Sequence, residues 1–146
     1  MVITKKESVP KEITARAVII HNEEVILLYR HKEKEEYYAL PGGHIELNET
    51  KEECLIREIK EELNINIRII SFLGIVEKKE HIDYIYNCEY LSGKLLLGGE
   101  EKEQNNPSNY YEIHRIRLQD IDKLPLYPDN LKIIEKALLE RNKNEK

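Results

Sequence analysis

The stretch from Thr50 to Leu63 leaves the backbone little choice. Thr50 with Glu53 three residues later is a capping box, each side chain meeting the other's backbone N–H. Leu55, Ile56, Ile59 and Leu63 recur at helical spacing and form one apolar stripe. Asn64 follows where a left-handed terminating residue is expected, and Asn is the usual second choice after Gly. The spacing predicts a helix that must bury its stripe against a neighbouring layer.

That layer reads as β-structure. Ile13 to Ile20 and Val25 to Tyr29 are apolar runs flanking the turn-forming His21-Asn22-Glu23-Glu24, which predicts a hairpin. His31 to Glu36 is charged and reads as a loop, and Tyr37 to Leu40 as a short strand cut off by Pro41-Gly42-Gly43. Further strands are expected over Ile65–Val76, with Gly74 marking a bulge, over Tyr84–Leu91, and over Tyr110–Leu118. Gly98–Ser108 reads as a long loop and Gln119–Leu124 as a short helix. A final helix over Asn130–Arg141 has Leu131, Ile134, Ala137 and Leu138 inside. The fold class is α/β, a mixed sheet packed between helices.

At 146 residues the chain is expected to form a single domain with a polar tail from about 141 to 146. No apolar run approaches the ~20 residues that span a bilayer, and Met1–Thr14 lacks the apolar core of a signal peptide. A cytoplasmic location without membrane contact is therefore expected. Cys54 and Cys88 lack zinc-like spacing and are too few for a disulfide framework, so both read as reduced and buried. The net charge of −5 argues against a surface that coats nucleic acid. It leaves room for a small phosphate-bearing ligand if a metal ion supplies the positive charge.

Glu58, Glu61 and Glu62 stand at i, i+3 and i+4 and share one face of the predicted helix. Like charges at this spacing repel by roughly a few tenths of a kcal/mol per pair. They also lie near the helix C-terminus, where the dipole disfavours anions. The bland alternative is a solvated acidic face. Three features favour a cation site. Arg57 can pair with the carboxylates and hold them. Gly42-Gly43 lets backbone approach a ligand. The apolar stripe on another side makes the support rigid. Oxygen-only ligands point to a hard ion, Mg²⁺ or Mn²⁺.

The segment Gly43–Ile65, 23 of 146 residues, resembles the Nudix box, G-x5-E-x7-R-E-U-x-E-E-x-G-U with U aliphatic. Gly43, Glu49, Arg57-Glu58-Ile59, Glu61-Glu62 and Ile65 fall in register. Asn64 replaces the last Gly, and no proposed ligand is lost. The resemblance to this hydrolase family, MutT-like, implies an α/β/α sandwich that hydrolyses the diphosphate bond of nucleoside diphosphate-linked compounds with Mg²⁺ or Mn²⁺. Carried over by position, Glu58, Glu61 and Glu62 would bind metal with the Gly43 carbonyl. Arg57 and Glu49 would pair and orient the site. The general base would be Glu58, or a carboxylate of the late loop Gly99–Glu103, with Glu103 preferred over Glu101.

Outside the box, Arg30 could meet a substrate phosphate or lie on the surface. Tyr38 and Tyr110 could stack on a base or pack, and His44 could face solvent or support the metal site. The substrate expected is a (d)NTP or oxidised (d)NTP giving the monophosphate, with ADP-ribose or a nucleotide sugar as the alternative. A non-catalytic Nudix domain binding a nucleotide or protein, and an RNA-decapping enzyme, are further readings. No stable nucleic-acid partner is expected. A homodimer is compatible with a small enzyme, but nothing in the sequence identifies its interface.

Overall fold

The computed structural model describes residues 11–99, 102, 105–126 and 128–144. Strand pairing starts at Asn22-Glu23, both at positive φ (53° and 63°). That is the twist of a two-residue hairpin turn, and it joins β1 (Glu12–His21) to β2 (Glu24–Lys32). A second tight turn, with Glu33 at φ 57°, leads from β2 into β3 (Glu35–Ala39). The expected loop over His31–Glu36 is therefore corrected: His31 pairs with Glu36 and Lys32 with Glu35. Its charges sit on an exposed hairpin, whose paired backbone a reading of side-chain polarity misses.

Pro41-Gly42-Gly43 also does more than end a strand. Gly42–His44 forms β4, antiparallel to β1, with Arg16 opposite Gly42 and Thr14 opposite His44. A Cβ on Gly42 would lie 2.0 Å from the Ala15 carbonyl oxygen. Only glycine permits this approach.

Strands β5 (Asn66–Glu77), β6 (His81–Ser92) and β7 (Asn109–Arg117) complete a sheet in the order β3-β2-β1-β6-β5, with β4 on β1 and β7 on β2. Only β1 and β6 run parallel among these pairs. The register slips between Phe72 and Gly74, where the bulge was expected.

Alternation along β1 sends Ala15, Ala17 and Ile19 to one face, against Leu55, Ile59 and Leu63 of α1 (Lys51–Leu63). Val18 goes to the other face, with Leu73 and Ile85. There it meets Ile134 and Ala137 of α2 (Pro128–Asn144) and Ile121 of a 3-10 helix (Leu118–Lys123). The chain is thus an α/β/α sandwich around a mixed sheet. Ile56 is corrected: it is 47% exposed, one step of about 100° further round the helix, and the buried Cys54 takes its place in the stripe. Both cysteines are free thiols, and burial pushes each up to about 12. Among the described residues no helix is long and apolar enough to cross a membrane.

One departure from regular pairing positions the site. β1 and β2 pair only beside their turn, at Ile20–Val25 and His21–Glu24. Beyond it β1 turns to β4 and β6, while β2 turns to β3 and β7. The sheet therefore splits, and a cavity opens in the gap.

Candidate active site

The cavity measures about 550 Å³, within the range of small-molecule sites. Its acidic wall is built by α1 and β4. Thr50 and Glu53 complete both bonds of the capping box, and Asn64 closes the helix in the left-handed region at φ 61°. Glu58, Glu61 and Glu62 all reach the cavity.

Glu62 is only 4% exposed and accepts the Gly42 N–H on Oε1 at 3.0 Å. A Cβ on Gly43 would lie 2.1 Å from Glu58 Oε1, so glycine is needed for that carboxylate to seat against the backbone. The Gly43 carbonyl receives the Cys54 thiol at 3.6 Å.

Arg57 ties the wall together. Its Nε and Nη2 donate to the two oxygens of Glu49 at 2.6 and 2.9 Å, a bidentate pair. Its Nη1 donates to Glu58 at 2.9 Å and to Glu61 at 3.1 Å. The Arg57 bonds foremost, then the Glu46 N–H, hold the Glu49 carboxyl down to about 2. The same pairing raises Arg57 above the usual guanidinium range.

Among the described residues no three His, Cys, Asp or Glu side chains converge as a closed cation cage. Glu58 and Glu61 turn to Arg57, and Glu62 to Gly42. As a donor set, carboxylate oxygens beside a carbonyl suit a hard divalent ion.

The opposite wall is cationic and aromatic. Arg30 on β2 is 7% exposed, and its Nε and Nη1 are buried without a hydrogen-bond partner. Its guanidinium lies 4.1 Å from the centre of the Tyr111 ring, opposite it on β7. Tyr37 also lines the cavity, whereas Tyr38 does not. Tyr38 faces the other way, its hydroxyl 3.0 Å from His114 Nδ1. Tyr110 stacks on His31 instead. His44 lines the rim with Nε2 2.7 Å from Glu12, while its carbonyl accepts from Arg57 at 3.4 Å. Glu101 and Glu103 lie outside the described residues.

A third group, from β1, the β5–β6 turn, β6 and α2, eluded the sequence reading. Arg16, Lys78, His81, Asp83 and Asn130 all line the cavity. Asn130 is 3% exposed with its Oδ1 unpartnered, so a ligand N–H or O–H placed there would relieve a buried acceptor. The available signal was Arg16 itself, a lone charge inside the apolar run ITARAVII.

Comparison with known proteins identifies the family and the fold. Residues 11–138 match the family model of the NUDIX domain. An ADP-ribose pyrophosphatase of Methanocaldococcus jannaschii is 33% identical over 93 residues, 58% of this chain and 55% of that protein. A putative 8-oxo-dGTP diphosphatase of Bacillus subtilis is 26% identical over 89 residues, 60% of this chain and 59% of its own. The chain thus spans a little over half the length of these two relatives. The crystal structure of a MutT NUDIX hydrolase from Burkholderia pseudomallei superposes with a TM-score of 0.70 at 21% identity, covering 87% of this chain and 98% of that one. With residues 11–138 matched by the family model and the fold shared with that structure, the chain belongs to the Nudix hydrolase family.

Proposed function

We propose that the chain hydrolyses the diphosphate bond of a nucleoside diphosphate-linked compound, with a (d)NTP or oxidised (d)NTP yielding the monophosphate and pyrophosphate as the leading substrate class. The observation that carries this reading is the acidic wall: three carboxylates face the cavity, one of them buried on a backbone N–H and two gathered by Arg57.

Glu58, Glu61 and Glu62, with the Gly43 carbonyl, would hold a divalent ion, Mg²⁺ or Mn²⁺. When bound, such an ion neutralises the diphosphate and lowers the pKa of water. The chain's own residues supply the rest. Gly42 fixes the Glu62 carboxylate, and Arg57 and Glu49 fix Glu58 and Glu61. A Glu58 carboxylate oxygen receives the proton of the attacking water as its oxygen joins phosphorus and the anhydride P–O bond breaks. Arg30, buried with unpartnered N–H groups, meets a substrate phosphate oxygen. His44 is placed at the rim to contact the same chain of phosphates.

A second reading is ADP-ribose as substrate, favoured by the likeness to the M. jannaschii protein. The test is a panel of dNTPs, 8-oxo-dGTP, ADP-ribose and nucleotide sugars, with Mg²⁺, without it, and with Glu62→Gln beside the wild type. Metal-dependent hydrolysis falling by about 10²-fold or more in Glu62→Gln is expected. Full turnover in that variant would remove the metal assignment, and the fastest substrate identifies the branch.

A further inference from the structure

The open ends of β1 and β6 place a charged group where neither the acidic wall nor Arg30 reaches. Asp83 is 2% exposed. Its Oδ1 accepts the Thr14 hydroxyl at 2.5 Å and His81 Nδ1 at 2.8 Å, with Arg16 Nε at 3.8 Å. Its Oδ2 lies 3.0 Å from Lys78 Nζ. A carboxylate has about four acceptor positions, of which Thr14, His81 and Lys78 take three, with Arg16 a longer ion contact. Asp83 is a buried anion turned toward its own neighbours. Its function is to hold its partners.

Arg16 and Lys78 bring two cations to one buried anion. The Nη groups of Arg16 have no protein partner among the described residues. Arg16, Lys78 and His81 all line the same cavity as Glu58, Glu61 and Glu62. The backbones of the two groups are joined through the sheet. Arg16 pairs with Gly42, whose N–H holds Glu62. Arg16 therefore stands about one strand spacing, ~5 Å of backbone, from the Glu62 anchor. Arg16 and the three carboxylates line one cavity of about 550 Å³, which has room for a polyphosphate chain.

We propose that Arg16 and Lys78, pre-set by Asp83, form an anion subsite for a phosphoryl group beyond the diphosphate held at the acidic wall. The preferred substrates then carry a third phosphate, as a nucleoside triphosphate does, instead of a neutral terminal sugar. This rests on the proposed hydrolase reading for its substrate, but the subsite itself needs no metal. Arg16 reaches the anion with a planar pair of N–H groups and Lys78 with a point charge. Both side chains are already partly withdrawn from bulk water beside Asp83, 21% and 25% exposed.

The experiment separates the two readings. Inorganic pyrophosphate is titrated into the protein in EDTA by calorimetry, for wild type, Arg16→Met, Lys78→Met and Glu62→Gln, with thermal unfolding confirming that each is folded. Binding to the wild type, weakened about tenfold or more in Arg16→Met and Lys78→Met and undiminished in Glu62→Gln, is the expected result. Two cationic positions are tested, so one that failed to fold would leave the other to decide. A second arm measures hydrolysis. In Arg16→Met, KM for a nucleoside triphosphate rises about tenfold with kcat kept, and KM for ADP-ribose stays unchanged. Absence of metal-free binding, or equal binding in all four proteins, overturns the subsite. An equal rise in KM for ADP-ribose overturns its assignment to a third phosphate. A wild type that binds pyrophosphate but hydrolyses nothing keeps the subsite and removes the hydrolase reading instead.

Discussion

Arg57 gathers Glu49, Glu58 and Glu61 around one guanidinium. The fork matters more than the charge. Two N–H groups are spent on Glu49 in a bidentate pair, and the two of Nη1 are left to serve Glu58 and Glu61. A lysine carries the same charge as a single compact point and cannot make both sets. Arg57→Lys is therefore expected to lower metal affinity and turnover about 10–100-fold, the usual loss when a group orienting the ligands is removed, while the fold persists. Isothermal titration with Mn²⁺ beside circular dichroism checks both halves. Wild-type affinity in Arg57→Lys would show that charge alone suffices.

Asp83 makes the pH prediction at the same scale. Burial works to raise its pKa, but the Thr14 hydroxyl, Arg16 and Lys78 together overcome this and hold it below the usual 3.8. A carboxyl depressed in the folded state contributes stability that is present above its unfolded value and lost as pH falls through the folded one. Acid titration from pH 5 downward is expected to show stability falling below about pH 4, with a shallower slope in Asp83→Asn. Equal slopes in the two proteins would show that Asp83 is not held in this way.

At the level of elements, α1 is stabilised at both ends by groups that a sequence displays. The Thr50 hydroxyl accepts the Glu53 N–H at 3.0 Å, and Glu53 accepts the Thr50 N–H at 2.9 Å. Thr50→Ala is expected to cost about 1 kcal/mol. At the other end Asn64 sits at φ 61° and donates from its amide to the Lys94 carbonyl at 3.0 Å. Asn64→Gly gains left-handed freedom and loses that bond, so the two nearly cancel, whereas Asn64→Ala loses the bond and adds strain. The alanine variant is expected to be less stable than the glycine one by about 1–2 kcal/mol in urea unfolding. Equal stabilities would mean that the left-handed turn carries no strain.

The contrast between α1 and its surroundings explains what a sequence reveals here. Caps, the E-x-x-E-E face and all of the stripe but Ile56 and Cys54 are local, separated by a few residues, and were readable. The strand faces were not. Whether Tyr37 or Tyr38 enters the cavity depends on the register of β3 against β2, with Tyr37 opposite Arg30 and Tyr38 opposite Tyr29. A one-residue slip would exchange them. The Asp83 group was harder still. It joins Thr14 and Arg16 to Lys78 and His81 across the parallel β1–β6 pair, and only the order of strands in the sheet creates it.

For the whole molecule, the cavity joins two walls of opposite sign across a split sheet, and this couples folding to its ligands. On the acidic side Glu46, Glu58, Glu61 and Glu62 stand with one cation, Arg57, among the cavity-lining groups of α1 and the segment before it. Their mutual repulsion opposes folding, because the unfolded chain lets them separate. A divalent ion that binds the folded wall and not the unfolded chain shifts the balance by mass action. At 100 times its Kd the stabilisation is about 2.7 kcal/mol. For a domain of this size each kcal/mol moves Tm by roughly 2–4 °C. Saturating Mg²⁺ is thus expected to raise Tm by roughly 5–11 °C, and EDTA to reverse it. Glu62→Gln changes the metal-free Tm on its own account, since Glu62 is buried, so the increment on adding Mg²⁺ is the quantity to compare. That increment is expected to fall below about a quarter of the wild-type value, because an amide replaces the one wall carboxylate that is buried and fixed by backbone. An increment of the same size in both proteins would place the stabilising ion away from this wall, and with it the charge that the diphosphate needs.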